Sequence, residues 1–321
     1  MKTKEIILSA LGARIKNLFH KLPEDEFERL QEIRLRVNQP IIIVGDSRAI
    51  FMKNDGNFTK NIEQAFRVTQ KDLVDTLQMM SDYSLYAFEE EIKNGYITLQ
   101  GGHRVGVAGK VVMDKGQIKT IRYIGGMNIR ISHEIIGCSN KVIPFLIDKK
   151  SIYHTLIISP PKCGKTTILR DLIRQLSNGI PNKFPGITIG VVDERSEIGG
   201  SYLGVAQNDV GIRTDILDCC PKTEGMRMLL RSMSPEVIAV DEIGKIEDIY
   251  AIEDVMNAGV KLICTVHGSS LLDIQRKPVL KELIEKKIFE RIILLSHKKG
   301  PGTIEEVIDA INTNPLWGER T

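Results

Sequence analysis

Apolar runs alternate with helical periodicities along the second half of the chain. Five apolar runs predict strands, at 154–158, 187–192, 236–240, 260–265 and 288–295. Between several of them the apolar positions recur at helical spacing, which predicts helices at 165–176, 222–232 and 246–258. Strands that alternate with helices indicate a mostly parallel sheet with helices on both faces. We therefore expect an α/β domain here.

The first half of the chain has a different pattern. Two helical stretches, Glu5 to Phe19 and Lys71 to Ser81, stand among short strand-like segments, several of them punctuated by glycine. The strand-like segments lie at 41–44, 48–52, 95–100, 104–113 and 117–131. This pattern predicts a small α+β domain over residues 1–139, followed by the α/β domain over residues 140–321. Residues 137–140 are a candidate hinge, and residues 141–148 a candidate linker helix.

Composition narrows the class of protein. The 321 residues are 42% apolar and 26% charged, as in ordinary soluble proteins. The net charge of +3 is too small to indicate a nucleic-acid or membrane partner. Five cysteines without metal-type spacing suit a reducing compartment. We find no apolar signal segment and no run of about 18 apolar residues, so we expect a soluble cytoplasmic protein, with peripheral membrane attachment left open.

The segment after the first predicted strand has the pattern of a phosphate-binding loop. It reads Ser159-Pro160-Pro161-Lys162-Cys163-Gly164-Lys165-Thr166-Thr167 and leads directly into a helix. Backbone N–H groups of such a loop, with the helix N-terminus, form an anion site. Lys165 would contact the β- and γ-phosphates, and the Thr166 hydroxyl would ligate Mg²⁺. Taken alone, the segment is also compatible with a chance Gly-Lys-Thr in a basic turn.

A second motif lies downstream in the expected order. The apolar strand 237–240 ends in Asp241 and Glu242, the Walker B pattern of P-loop ATPases. Asp241 would hold Mg²⁺ through water, and Glu242 would orient or deprotonate the attacking water as general base. Many core strands end in an acidic residue, so the motif is weak alone. The two motifs together predict ATP hydrolysis, with ATP and Mg²⁺ as ligands.

Other polar residues lie at the ends of the predicted strands. Asp193 and Glu194 close one strand, where they would face the γ-phosphate or simply cap the strand. His267 closes another, where it would sense the γ-phosphate or lie solvated at the surface. The candidate catalytic residues are thus Glu242, Glu194, His267 and Arg231.

Several arginines are candidates for a role between subunits. Arg213, Arg227 and Arg231 lie before the Walker B strand, where they are either solvated charges or arginine fingers that reach a neighbouring subunit's phosphate. In the first half, the glycines at 101, 102, 106 and 109 predict a hairpin. This hairpin has two interpretations. Its glycines allow tight packing in a small sheet, or Arg104 or Arg130 projects toward the nucleotide of a neighbouring subunit.

The ordered motifs resemble the type II/type IV secretion ATPase superfamily. The resemblance rests on the P-loop, an acidic box at 193–194, an arginine-bearing helix end at 230–236, Walker B, and a Thr-x-His box at 265–267. More narrowly, the chain resembles the stage III sporulation AA family of endospore-forming bacteria. That likeness is carried by the segments 101–109, 128–132, 192–198, 211–218 and 241–244.

The resemblance implies a P-loop NTPase fold of the RecA/AAA type and a ring oligomer, with a hexamer expected. It implies an ATPase of the mother cell, with attachment at the forespore membrane left open. This ATPase would power or assemble a secretion-like channel with membrane-anchored partners from the same operon. Ser159 and Lys162 depart from the family's glycines. A non-glycine residue forced to positive φ costs on the order of 1 kcal/mol, so nucleotide affinity is in question.

Two other functions stay open. A nucleic-acid-dependent ATPase is one, although no basic stripe interleaved with aromatics is visible and aromatic content is 5%. We therefore do not expect a nucleic-acid partner. The other is a nucleotide-gated scaffold with little turnover, which the altered P-loop would permit.

Overall fold

The computed structural model describes residues 3–45, 49–81 and 88–318. The chain forms two compact units. The first comprises Met1–His133 together with Gly200–Gln207, and the second comprises Glu134–Gly199 together with Asn208–Thr321. The first unit is therefore built from two separate stretches of the chain.

The first unit is an antiparallel sheet with helices. Its helices are α1 (Thr3–Ser9), α2 (Ala13–His20), α3 (Glu24–Phe27), α4 (Gln70–Met80) and α5 (Glu89–Lys93). Its strands are β1 (Glu32–Arg36), β2 (Ile42–Val44), β3 (Ala49–Met52), β4 (Phe58–Thr59), β5 (Tyr96–Leu99), β6 (His103–Asp114) and β7 (Gln117–Arg130). The strand order is β4-β3-β2-β1-β7-β6-β5, and the core includes the buried side chains of Phe19, Phe27, Ile33 and Ile129.

The helix predicted from Glu5 to Phe19 is two helices, because Gly12 interrupts it. The N–H of Gly12 donates to Thr76 Oγ1 at 3.1 Å, which ties this break to α4. A Cβ on Gly12 would lie 3.0 Å from the Asp75 Cβ, which is tighter than ordinary van der Waals contact. Glycine therefore allows the backbone between α1 and α2 to approach α4.

The second unit is a mostly parallel sheet with helices, and it confirms the predicted α/β class. Its strands are β8 (Ile147–Asp148), β9 (Ser151–Ile152), β10 (Thr155–Ser159), β11 (Ile189–Asp193), β12 (Thr214–Asp218), β13 (Val237–Val240), β14 (Lys261–His267), β15 (Arg291–Ser296), β16 (Thr303–Asp309) and β17 (Asn314–Trp317). Its helices are α6 (Lys165–Asn178), α7 (Lys222–Ser232), α8 (Ile246–Asn257), α9 (Leu271–Gln275) and α10 (Pro278–Glu285).

The sheet topology sets which strand ends become neighbours. The strand order is β12-β11-β13-β14-β10-β15-β16-β17, parallel from β12 to β15 and antiparallel from β15 to β17. The central strands β10, β11 and β13 are buried throughout, as parallel strands covered on both faces must be. In the β10–β14 register Ser159 is opposite His267, so these two carboxyl ends lie side by side. Ligands of open α/β sheets bind at this edge.

The expected linker helix at 141–148 is wrong. Residues Ile143–Phe145 form a single 3-10 turn, and β8 and β9 pair as a short hairpin after it. Pro144 supplies no N–H for an α-helical hydrogen bond, and β8 already begins at Ile147, so only a single turn fits before the strand. The candidate hinge just before it is tied to α6. The Asp171 carboxylate accepts from Gly137 N at 3.0 Å and from Ser139 N at 2.8 Å.

Across the described ranges, no helix combines the length and apolar character needed to cross a lipid bilayer.

Candidate functional site

The predicted phosphate loop connects β10 to α6. Gly164 precedes the helix with φ 81°, a left-handed conformation that suits glycine. A Cβ on Gly164 would lie 3.1 Å from the N atom of Gly302, so the segment that joins β15 to β16 packs closely on the loop. The N–H of Gly302 also donates to the Cys163 carbonyl at 2.7 Å. The loop is thus held by a neighbouring strand connection.

The two departures from glycine in this loop are not equivalent. Lys162 adopts φ 61°, a left-handed conformation that is unfavourable for a side chain with a Cβ, and it is exposed. Ser159 keeps a negative φ, is buried, and donates from Oγ to the Pro160 carbonyl at 2.8 Å. Backbone strain in the loop therefore arises at Lys162 and not at Ser159.

Four predicted residues meet at the start of α6. The Thr166 hydroxyl donates to Asp241 Oδ2 at 2.6 Å. Lys165 Nζ lies 2.5 Å from Glu242 Oε1 and 3.6 Å from Asp241 Oδ1, and only 9% of the Lys165 side chain is exposed. The acidic pair after β13 is therefore in direct contact with the Lys-Thr pair of the loop.

Glu242 is at the centre of a group of basic side chains. Its Oε2 accepts from Arg195 Nη1 at 2.7 Å, and its Oε1 lies 2.8 Å from His267 Nε2. Burial alone would raise the pKa of Glu242. The hydrogen bond and charge of Lys165, helped by the other two basic groups, outweigh burial and lower that pKa. Glu242 also adopts φ 58°, an outlier of the kind that often occurs at functional sites.

Thr265 connects the Walker B pair to β14. Its hydroxyl contacts Asp241 Oδ1 and accepts from the Glu242 N–H at 2.9 Å. These contacts fix the backbone that carries both carboxylates. Neither Thr265 nor Arg195 was a candidate site residue, although Thr265 lies in the Thr-x-His box. The signal for Arg195 was its place directly after the acidic pair at the end of β11.

Asp193 and Glu194 have different surroundings. The Asp193 carboxylate is buried and accepts the N–H groups of Glu197, Ile198 and Gly199 at 2.8–2.9 Å. Burial raises the pKa of Asp193 to about 6, against these bonds, which favour the ionised form. Glu194 forms an ion pair with Lys222 at the start of α7. Both acidic residues line a small cleft with Asp241 and Glu242.

A buried arginine completes the support of this loop. Arg170, within α6, donates from Nε to the Ile198 carbonyl at 2.7 Å and from Nη2 to the Glu197 carbonyl at 2.6 Å. Asp193 thus accepts hydrogen bonds from the backbone N–H groups of this segment, and Arg170 donates hydrogen bonds to its carbonyl groups. Asp193 is therefore a structural anchor of this loop as well as part of the cleft lining, whereas Glu194 pairs with Lys222.

The three arginines that precede Walker B have separate surroundings. Arg213 donates to the Ser177 carbonyl at 2.7 Å, at the C-terminal end of α6. A helix of 14 residues is about 21 Å long, and the phosphate loop is at its other end. Arg227 pairs with Asp254 of α8 at 2.8 Å, and Arg231 is exposed in the last turn of α7.

In the first unit, the two candidate arginines are partners across a strand pair. Arg104 of β6 lies directly opposite Arg130 of β7 in the antiparallel register. The Arg104 guanidinium stacks on the Tyr96 ring with its carbon 3.7 Å from the ring centre.

A cavity of about 1040 Å³ opens beside the phosphate loop. Its lining includes Gly164, Thr167, Lys298, Lys299 and Trp317. This volume is at the upper limit of pockets that hold a small ligand. The loop therefore has space next to it for the non-phosphate part of a bound molecule.

Comparisons with known proteins agree with this fold. Residues 1–313 match the family described as "Sporulation stage III, protein AA". Stage III sporulation protein AA of Bacillus subtilis (strain 168) is 42% identical over 303 residues, which cover 94% of each chain. The ATPase DotB of Yersinia pseudotuberculosis aligns at a TM-score of 0.61 and 13% identity, over 94% of this chain and 81% of that one.

A second solved structure, the pilus retraction motor PilT with bound ADP, aligns at a TM-score of 0.54 and 16% identity, over 84% of this chain and 76% of that one. At such identities the likeness concerns the fold, and it confirms the predicted P-loop NTPase architecture. The family match covers nearly the whole chain, as the motifs of both halves predicted. The chain therefore belongs to the stage III sporulation protein AA family.

Proposed function

We propose that the chain is an ATPase that binds ATP with Mg²⁺ at the loop between β10 and α6. One observation carries this proposal. The loop residues Lys165 and Thr166 lie within hydrogen-bond distance of Glu242 and Asp241, at 2.5 Å and 2.6 Å. This brings a phosphate-binding cation, a hydroxyl and two carboxylates to one point at the N-terminus of a 14-residue helix.

Lys165, Glu242 and His267 have different roles in the proposed reaction. The phosphates would draw Lys165 away from Glu242, because a triphosphate carries more negative charge than one carboxylate. Glu242, freed from that contact and still beside Arg195 and His267, would then accept a proton from the attacking water. His267, 2.8 Å from the same carboxylate, would hold it in position.

The donor set suits magnesium. The Thr166 hydroxyl and the Asp241 carboxylate are hard oxygen ligands, and Mg²⁺ takes one or two such protein ligands together with phosphates and water. When bound there, the ion would neutralise phosphate charge. The cavity beside Gly164 and Thr167 would hold the nucleoside.

The proposed role is that of a motor for a secretion-like channel between mother cell and forespore. Family membership supports the sporulation role, and the fold it shares with DotB and PilT supports the motor role. On this proposal the chain forms a ring, expected to be a hexamer, in the cytoplasm of the mother cell. It would work with membrane-anchored proteins of the same operon.

Phosphate release from Mg²⁺-ATP by the purified chain tests the proposal. Lys165→Ala should abolish release and weaken nucleotide binding, whereas Lys183→Ala, at an exposed lysine elsewhere, should change neither. Binding without release, alone and with membrane partners, would identify a nucleotide-gated scaffold instead. Release that requires single-stranded RNA or DNA would identify a nucleic-acid-dependent ATPase.

A further inference from the structure

The hairpin of β6 and β7 in the first unit extends beyond its sheet. β5 pairs only with residues 103–106 of β6, and β1 pairs only with residues 126–130 of β7. Further out, among the described residues, β6 and β7 pair with each other alone, from Lys110 opposite Arg122 to Asp114 opposite Gln117. We call residues 110–122 the β6–β7 ribbon.

One face of the ribbon is apolar and uncovered. Val111 lies opposite Ile121, and Met113 lies opposite Ile118 after a register shift between Val112 and Met113. Val111 and Met113 alternate onto one face of β6, and their partners across the ladder share that face. At the base of the ribbon, Ile121 packs against the core of the first unit. The other three residues of this face, Val111, Met113 and Ile118, are 45%, 57% and 45% exposed. The core-facing side of the sheet therefore continues past the edge of the core into solvent.

The ribbon also carries a local surplus of positive charge. It contains four basic residues, Lys110, Lys115, Lys119 and Arg122, and one acidic residue, Asp114. Four minus one gives +3 in 13 residues, which equals the net charge of all 321 residues. The small charge of the whole chain therefore conceals this concentration. The side chain of Tyr123, directly after the ribbon, is 80% exposed.

We propose that the β6–β7 ribbon docks on the surface of a lipid bilayer that contains anionic lipids. An amphipathic element with an apolar face and a basic polar face lies in the bilayer interface, with the apolar face at the acyl boundary. Lysine and arginine side chains reach the headgroups through their long stems. An exposed tyrosine such as Tyr123 is common at that depth.

Charge and shape favour a lipid bilayer over a second copy of the ribbon or an acidic protein. A second copy of the ribbon would bring another +3 against the first, so self-association through this surface is repelled. An acidic protein would need a shape complementary to three side chains spread along a narrow ribbon. A bilayer surface requires only an apolar face and a surplus of cations, and the ribbon has both. The proposal involves no residue of the nucleotide site and goes beyond the proposed ATPase function.

Vesicle sedimentation of the full chain is the test. The probe is vesicles of equal parts phosphatidylglycerol and phosphatidylcholine, compared with vesicles of phosphatidylcholine alone. Wild-type protein should sediment with the anionic vesicles, and binding should fall as salt is raised to about 0.5 M. The double variant Lys110→Glu/Arg122→Glu should bind about tenfold more weakly or worse, because each cation near an anionic surface contributes to binding.

Matched controls separate the ribbon from general charge and polarity. Lys60→Glu/Lys183→Glu reverses two exposed lysines elsewhere and should retain wild-type binding. Met113→Gln should lower binding about fivefold or more, whereas Ile62→Gln, at a side chain 49% exposed in the same unit, should not. Circular dichroism and phosphate release check that the variants fold.

Three outcomes would overturn the proposal. They are failure of the wild type to sediment with anionic vesicles, equal losses for ribbon and control variants, and unchanged binding in Met113→Gln. Ribbon-dependent binding to polyglutamate but not to vesicles would identify an acidic protein as the partner instead.

Discussion

Lys165 Nζ lies 2.5 Å from Glu242 Oε1, which links the phosphate loop to the end of β13. The two side chains neutralise each other in a setting where little of either is exposed. A nucleotide must therefore compete with Glu242 for Lys165. On the proposed function, binding of the phosphates and release of the general base are one event.

This contact predicts the effect of Glu242→Gln. The variant should bind ATP at least as tightly as the wild type, because an amide competes less well than a carboxylate for Lys165. Its turnover should fall by about 100-fold or more, because an amide cannot accept the proton. Equilibrium binding and single-turnover hydrolysis measure the two effects, and Glu285→Gln, in an exposed ion pair of α10, is the control. Turnover like that of the wild type would exclude Glu242 as the base.

Arg195 should set the acid limb of the pH–rate profile. It lies 2.7 Å from Glu242 and lowers the pKa of that carboxyl. The base works only when ionised, so activity is lost as pH falls through its pKa. In Arg195→Ala the pKa rises, and the acid limb of kcat/KM should move to higher pH. Arg276→Ala, at an exposed arginine after α9, should leave the profile unchanged. An unmoved limb in Arg195→Ala would contradict this role.

Two substitutions at Lys162 should separate backbone strain from charge. Both Lys162→Gly and Lys162→Ala remove the charge, but only glycine adopts φ 61° without steric cost. The glycine variant should therefore be more stable than the alanine variant by about 1 kcal/mol. Thermal or chemical denaturation measures the difference. At Lys183, where φ is not positive, the order should reverse, since glycine there only adds freedom to the unfolded chain.

The proposed ring predicts complementation between inactive subunits. Lys165→Ala subunits, mixed with inactive subunits that carry an alanine at Arg104, Arg130, Arg227 or Arg231, should regain phosphate release for at least one of the four. Recovery requires that each variant supplies what the other lacks across an interface. Mixtures shown to co-assemble but inactive in all four cases would argue against a shared site.

Arg213 should behave differently from those four arginines. Its guanidinium donates to the Ser177 carbonyl at the far end of α6, so Arg213→Ala should lower stability by about 1–2 kcal/mol through loss of charge-assisted hydrogen bonds. Because this contact is structural, folded Arg213→Ala subunits should keep phosphate release without any partner variant. Denaturation and phosphate release by the variant alone check both expectations, and loss of release in a folded Arg213→Ala protein would show that Arg213 takes part in the site.

The sequence by itself determined the α/β architecture, the phosphate loop and the strand that ends in Asp241. These features are local, since a buried parallel strand needs a continuous apolar run and a helix needs apolar residues at its own period. Chain order then implied that β10 and β13 end at the same edge. The family also followed from the sequence, because its motifs are short and occur in order in both halves.

Tertiary structure alone decided which side chains meet at that edge. Arg195 reaches Glu242 over 47 positions in the chain, and no periodicity encodes that contact. Arg213 resembles a site arginine in sequence, yet it lies at the opposite end of α6 from the loop. The partner of a side chain depends on the order of the strands and on the length of each helix or strand. Packing between segments distant in sequence determines both. Tertiary structure also decided that the apolar face of the β6–β7 ribbon is exposed, because β6 and β7 extend beyond the neighbouring strands β5 and β1.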